Sequence, residues 1–428
     1  MSEGRPGLRA FSKSSLGRSV GSLYLIHIAS YLIPIVSFPY LTRVLGPERF
    51  GLYLFVIGIA RYGLLVTDWG FNFSATREAT VKRASGGDIS GPASAVAVAR
   101  LVLLGACALA LCVATLTVGR IRDDAALYWL AFGAVAGSAL LPVWLYQAVE
   151  RLAVVTMSLL AARVVTTALV FVFVQSGGDL AAALLLWALP WPLAAVVALV
   201  LQRSQVGVRL GATTPSEVRR VLGQGIPVFV TLALAGAYSA LNTVVLGFIT
   251  NNTQVGYFGT AETIITAAVG LLVPAVQGLF PQAARAGAGG ETDAISHVRK
   301  VLPLLTMVGA ALCVATLALA PLVPRVVGHK FDDSVAVLQV LSPLPLIVAV
   351  ATTLFTQLML PLHMDRAFTK IVGFGVLANV ALTVVLVPSL EAIGTAITVI
   401  LTEALILAAV LVYLRHQGIR LSRPRPAT

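Results

Sequence analysis

The sequence predicts an all-α integral membrane protein with about twelve transmembrane helices and both termini in the cytosol. Composition is the first observation: 58% of the 428 residues are hydrophobic and 11% are charged, where soluble domains carry about a quarter charged residues. The mean hydropathy of +0.92 points the same way. The second is repetition, since apolar runs of about 20 residues, enough to cross a hydrocarbon layer of roughly 30 Å, recur along the whole chain. The third is charge asymmetry. With an even number of spans starting in the cytosol, cytosolic segments hold 21 of the 30 Lys and Arg residues and outward loops hold 6, a strong positive-inside bias.

The elements follow in order. Residues 1–17 form a basic polar tail that runs into an apolar stretch with no short signal-peptide core, so it reads as a cytosolic tail. Spans are expected near 18–42, 50–75, 92–118, 125–147, 153–175 and 180–201, an N-lobe covering 18–201. The longest polar break, 202–224, is the expected cytosolic linker. A second six are expected near 225–249, 256–282, 301–323, 335–361, 371–388 and 393–414, a C-lobe covering 225–414, followed by a basic cytosolic tail at 415–428. Two landmarks recur across the linker. RFGLY at Arg49 to Tyr53 answers QVGYF at Gln254 to Phe258, and VERLA at Val149 to Ala153 answers MDRAF at Met364 to Phe368. A six-helix unit duplicated in one orientation gives such offsets, and an even-numbered unit makes the repeats parallel.

The net charge of +12 is a topology signal here, and no nucleic-acid partner is expected. Cys107, Cys112 and Cys313 sit in apolar runs without ligand spacing and read as packing residues. Five scattered histidines offer no metal cluster, and no Ser/His/Asp set, HExxH motif or extramembrane carboxylate pair suggests an enzyme. The GAGG run at Gly287 to Gly290 lacks the Lys and Ser/Thr of a phosphate loop and reads as a connector.

Charge at bilayer depth carries the chemistry, because each such group costs about 2.5–3.5 kcal/mol to insert. Arg61 lies mid-way along span two, Arg163 mid-way along span five, and Arg100 about two turns inside span three, within snorkelling reach of the cytosolic surface. One reading is ion pairing within the lobe, although Asp68 is about 10 Å along the axis from Arg61. The other is a water-filled cavity whose positive wall receives an anionic substrate, since guanidinium groups bind phosphate in bidentate fashion and keep their charge. In the second half, Glu262 and Glu403 stand in spans without basic residues. Together with Asp68 they are candidates for proton or sodium coupling, or for bonds to neighbouring hydroxyls and amides. His27, Asn72, Asn242, Gln277 and Asn379 read as polar contacts between helices. Pro34, Pro39, Pro227 and Pro274 favour kinks, which suit either rocking helices or static packing.

The run PYLTRVLGPERFG from Pro39 to Gly51 resembles the signature of the bacterial oligosaccharide flippases, exporters of O-antigen, capsule and exopolysaccharide repeat units in the multidrug/oligosaccharidyl-lipid/polysaccharide superfamily. WLYQAVERL at Trp144 to Leu152 is similar to a second family run, with Tyr146 and Ala148 where Phe and Gly are usual. The resemblance implies two six-helix lobes around a central cavity in the bacterial cytoplasmic membrane. It also implies movement of an undecaprenyl-pyrophosphate-linked oligosaccharide to the outer leaflet, with polysaccharide polymerase and assembly proteins as partners. By position and resemblance, Arg61, Arg163 and Arg100 are expected at phosphate or acidic sugar, with Arg43 at the outer mouth. No cofactor is expected beyond coupling to a proton or sodium gradient. The alternatives are an ion-coupled drug or metabolite antiporter of the same superfamily, whose cavity would be dominated by carboxylates, and a non-transporting component, glycosyltransferase or polymerase. A glycosyltransferase or polymerase would need larger outward loops than this chain has.

Overall fold

The computed structural model describes the backbone of residues 15–419, and the side chains of that stretch except 15–35 and 234–240. Most of the expected N-terminal tail, residues 420–428 of the C-terminal tail, and the side chains of His27 and Pro34 lie outside the described residues. Every described element is helical, and nine stretches among them are long and apolar enough to cross a membrane.

Helix α1 (Ser15–Asp68) runs through the expected loop at 43–49 with only Gly46 (φ 70°) leaving helical geometry. Its 54 residues would span about 80 Å, more than twice the hydrocarbon thickness. Trp69 and Gly70 turn the chain with positive φ into α2 (Phe71–Ala84). There follow α3 (Ser90–Thr117), the short α4 (Gly119–Arg122), and α5 (Ala125–Leu140), which Pro142 separates from α6 (Val143–Ala148). Next come α7 (Leu152–Phe173), α8 (Leu180–Ala188), and α9 (Pro190–Gln205), which opens on its own proline. The second half begins earlier than the apolar run suggested. Helix α10 (Pro215–Ile249) starts inside the expected linker, because Thr214 and Glu217 form a reciprocal capping box and Pro215 takes the first helical position, where its missing N–H is no loss.

Beyond it, α11 (Asn252–Gly270) is capped by the Asn251 side chain, and α12 (Leu272–Ala288) begins after a break at Leu271. Pro274 therefore lies in the first turn of α12 and kinks nothing, whereas Pro227 sits inside α10. The run from Gly287 to Gly290 ends α12 and leads into α13 (Glu291–Leu319). Then come α14 (Val323–Val327), α15 (Ser334–Leu341), and α16 (Leu344–Leu354), which closes in a π-helical turn, Phe355–Met359. The last helix, α17 (Asp365–His416), spans 52 residues and is interrupted at Glu391 (φ 50°, ψ −123°).

The apolar core is distributed unevenly between the two ends of the bundle. At the arginine-poor end, one continuous cluster joins both halves, from Leu41, Phe50 and Phe55 through Tyr128 and Leu184 to Leu246, Phe258, Phe331 and Val387. At the arginine-rich end the cores are smaller, and the first half meets the second through α10, where Trp69 stacks on Phe229 at 4.3 Å. One core gathers Phe71, Val96, Trp144 and Val221, and another gathers Val298, Leu358, Met359 and Leu414.

The tightest crossing lies in the shared cluster. A Cβ on Gly51 would stand 1.7 Å from the Asn252 carbonyl oxygen, and one on Gly256 would stand 2.1 Å from that of Pro47. Glycine is required at both places because α1 and α11 touch backbone to backbone, as small residues permit in membrane bundles. The two contacts are the same contact made twice, since Gly51 and Gly256 are the glycines of the recurring RFGLY and QVGYF landmarks. Large apolar residues left exposed, such as Leu109 and Leu116 of α3, Val200 of α9, Met307 of α13 and Leu377 of α17, mark the lipid-facing surfaces.

Candidate functional site

A residue that is exposed within a spanning segment faces lipid or water, and its chemistry tells which. Among residues 50–70, all of them described, Arg61 is the only exposed one. It lies about 22 Å along α1 from Gly46, at hydrocarbon depth, and has no ion-pair partner among the described residues. An exposed guanidinium in a spanning segment calls for water or an anionic partner.

The other expected cations are placed differently. Arg100, 3% exposed, is turned into the first half, where one guanidinium nitrogen bonds Asp68 at 3.3 Å and another donates to the Leu141 carbonyl at 2.7 Å. Asp68 also accepts from Asn72, one turn along the chain. The Arg100 charge is thus neutralised by the very carboxylate considered for ion coupling, and Asn72 ties the start of α2 to the end of α1. Arg163 is half-buried on α7 with its guanidinium 5.5 Å from the centre of the Trp191 ring on α9, a cation–π contact. Arg43 is exposed and donates to the Arg325 carbonyl at 2.7 Å, across the two halves.

In the second half, Glu262 and Glu403 line one cavity of about 290 Å³ with Asn242 and Thr266. Glu262 accepts from the Thr243 hydroxyl at 3.0 Å. Asn379 does bridge helical segments, donating to Thr402 at 3.3 Å. Gln277 does not, since it is exposed on α12 and its side chain has no hydrogen bond among the described residues.

Sequence reasoning missed Arg120, which it counted only as an outward-loop charge. Arg120 donates to the Thr250 carbonyl at 2.6 Å and to the Asn252 side chain at 2.7 Å, and its guanidinium lies 4.8 Å from the Phe55 ring centre. It clamps the arginine-poor end beside the Gly51/Gly256 crossing. Its position between two polar loops gave no signal, because only folding brings residues 120 and 252 together.

The chain matches the polysaccharide biosynthesis protein family over residues 16–286. It is 30% identical over 406 residues to a protein of Escherichia coli named "Putative O-antigen transporter", covering 95% of this chain and 98% of that one. A Shigella dysenteriae protein of the same name is 25% identical over 388 residues, covering 90% and 96%. Among solved structures, the lipid II flippase MurJ in an inward closed conformation superposes with a TM-score of 0.69 at 11% identity, covering 92% of this chain and 87% of that one. An inward-facing multidrug resistance transporter of the MATE family gives 0.63 at 13% identity, covering 91% and 98%. The solved structures establish the likeness of fold. The family match and the end-to-end likeness to the two relatives establish that the chain belongs to the polysaccharide biosynthesis protein family, as a multi-pass membrane transporter and not an enzyme.

Proposed function

We propose that this transporter flips an undecaprenyl-pyrophosphate-linked oligosaccharide across the bacterial cytoplasmic membrane, for assembly of a cell-surface polysaccharide. The chain crosses twelve times, with α1 and α17 each crossing twice about Gly46 and Glu391 and both termini cytosolic. Its lobes, 18–201 and 225–414, rock to give alternating access. The observation that carries this reading is Arg61, an exposed guanidinium at hydrocarbon depth with no ion-pair partner among the described residues. Such a group is stable only in water, and the ligand that suits it is an anion such as pyrophosphate. A glycan headgroup cannot cross hydrocarbon bare, because each unpaired polar group costs several kcal/mol there. A wet cleft open sideways admits the headgroup while the prenyl tail stays in lipid.

The large core shared by both halves at the arginine-poor end, against the smaller α10 contact at the arginine-rich end, supports a state closed on the outside. Arg163 with Trp191 is a second contact for phosphate or acidic sugar, and Arg43 belongs to the outer closure. Arg100 and Asp68 hold the first lobe together and contact no substrate. The cavity of Glu262 and Glu403 is the place for a coupling proton or sodium ion, and polysaccharide polymerase and assembly proteins receive the product. That acidic cavity also favours a second reading, an ion-coupled drug or metabolite antiporter, which gives Arg61 no role.

The test is reconstitution in vesicles with an undecaprenyl-pyrophosphate oligosaccharide. Wild type translocates it and Arg61→Ala loses at least tenfold in rate. Equal rates in both would remove Arg61 from the mechanism, and no translocation by either would remove the function.

A further inference from the structure

Helix α12 exposes two amides in the interior of a spanning stretch. Its buried side, Leu272, Val276 and Ala283, with Leu279 half-buried, packs on Val301 and Leu305 of α13. The remaining arc, about 200° of the helix, is exposed and carries Gln277, Gly278, Phe280, Pro281, Gln282 and Arg285. The exposed arcs of α3 and α13 mix Leu, Val and Met with small residues and carry no amide. Exposed amides in a spanning stretch call for water or a polar partner.

The corresponding helix of the first half shows what such polar residues do when they serve structure. There α2 also follows the break in the second helix of its half, and its amide and hydroxyl side chains are bonded. Asn72 donates to Asp68, Thr76 donates to the Trp144 carbonyl at 3.1 Å, and Glu78 pairs with Arg220 at 2.9 Å. Neither Gln277 nor Gln282 bonds to any described residue. Phe280, 36% exposed, lies beside Gln277, nearly one turn further along the helix. A Cβ built on Gly278 meets nothing within 4 Å, so the floor beside these groups is open.

We propose that the exposed arc of α12 is the wall that recognises the sugar headgroup of the lipid-linked substrate. The amides of Gln277 and Gln282 each offer two donors and an acceptor to sugar hydroxyls. Phe280 offers an aromatic face to the apolar side of a ring, and the Gly278 gap lets the ring approach. This rests on the reading of the chain as a flippase of prenyl-pyrophosphate-linked glycans and assigns its division of labour. Guanidinium groups hold the pyrophosphate common to all such lipids, and neutral amides on the other half discriminate the glycan.

The experiment measures binding, to the full chain in lipid nanodiscs, of undecaprenyl pyrophosphate bare, bearing one sugar, and bearing a tetrasaccharide. In wild type the tetrasaccharide lipid binds more tightly than the bare lipid. In Gln277→Ala/Gln282→Ala that preference falls roughly tenfold, as loss of two or more hydrogen bonds requires. Gly278→Trp fills open space, replaces a poor helix former, and lowers the preference at least as much. A preference unchanged in both variants overturns the assignment, as does an equal loss of affinity for bare and glycosylated lipids. Equal binding of both lipids by wild type overturns it too, while leaving the role of Arg61 standing. Binding of neither lipid by wild type overturns the flippase reading and this proposal together.

Discussion

Substituting Gly51 by alanine tests whether the glycine crossing is what keeps the arginine-poor end shut. The added methyl group would sit 1.7 Å from the Asn252 carbonyl oxygen, so α1 and α11 must part by more than an ångström to reach ordinary contact. Forcing a methyl group into packed structure costs about 1–3 kcal/mol. If the two helices separate at that end during transport, the cost falls on the closed state alone. The equilibrium then shifts toward opening there by roughly 5- to 150-fold. Cysteine labelling reads this directly. With Cys107, Cys112 and Cys313 replaced by serine, Leu54→Cys supplies a reporter beside Gly259, where the Leu54 side chain now packs. A membrane-impermeant maleimide added outside should label it at least fivefold faster in Gly51→Ala than with Gly51 intact. Labelling unchanged or slowed, in a protein whose unfolding temperature in detergent shows it folded, refutes the crossing as an outer gate.

Arg120→Ala should raise the same labelling rate by removing the bonds to Thr250 and Asn252, and should combine non-additively with Gly51→Ala because both act on one contact. Asp68→Asn should destabilise the protein by about 3–5 kcal/mol in reversible unfolding, since it leaves the Arg100 guanidinium buried and uncompensated. Arg100→Met/Asp68→Leu should recover most of that loss, and a double variant no more stable than Asp68→Asn would contradict the pairing. Tyr146→Phe should cost about 1–2 kcal/mol in the same assay, because the Tyr146 hydroxyl donates to the Ala198 carbonyl at 2.6 Å in the interior. A change within error would show that bond to be idle.

The fold class was legible in the sequence because hydrocarbon enforces composition, span length and loop charge on every part of the chain. Helix boundaries were less so. The loop at 43–49 and the turn near Glu391 stay almost wholly helical, since polar residues at a membrane surface do not unwind a helix unless a backbone position demands it. Apolar content gave no sign that α10 begins at Pro215, although the Thr-Pro-Ser-Glu run did carry the capping signal. Among the charged residues, sequence found the cations that lie inside spans and could not sort them. Arg61 and Arg100 look alike as lone cations in spans. Asp68 meets Arg100, 32 residues away, because the turn at Trp69 and Gly70 directs it toward α3. Tyr146, a departure from the family run, finds its reason in a carbonyl 52 residues on.

The paired glycine crossing has a consequence for how the two halves relate. A contact in which Gly51 meets the backbone of Asn252 while Gly256 meets that of Pro47 has the form of an isologous interface, the self-complementary kind that identical subunits make about a twofold axis. One six-helix unit with one glycine would suffice to build it as a homodimer. Joining two copies in a single chain frees them from identity, so that one keeps the guanidinium groups and the other the carboxylates and amides, on either side of a joint that still obeys the older symmetry.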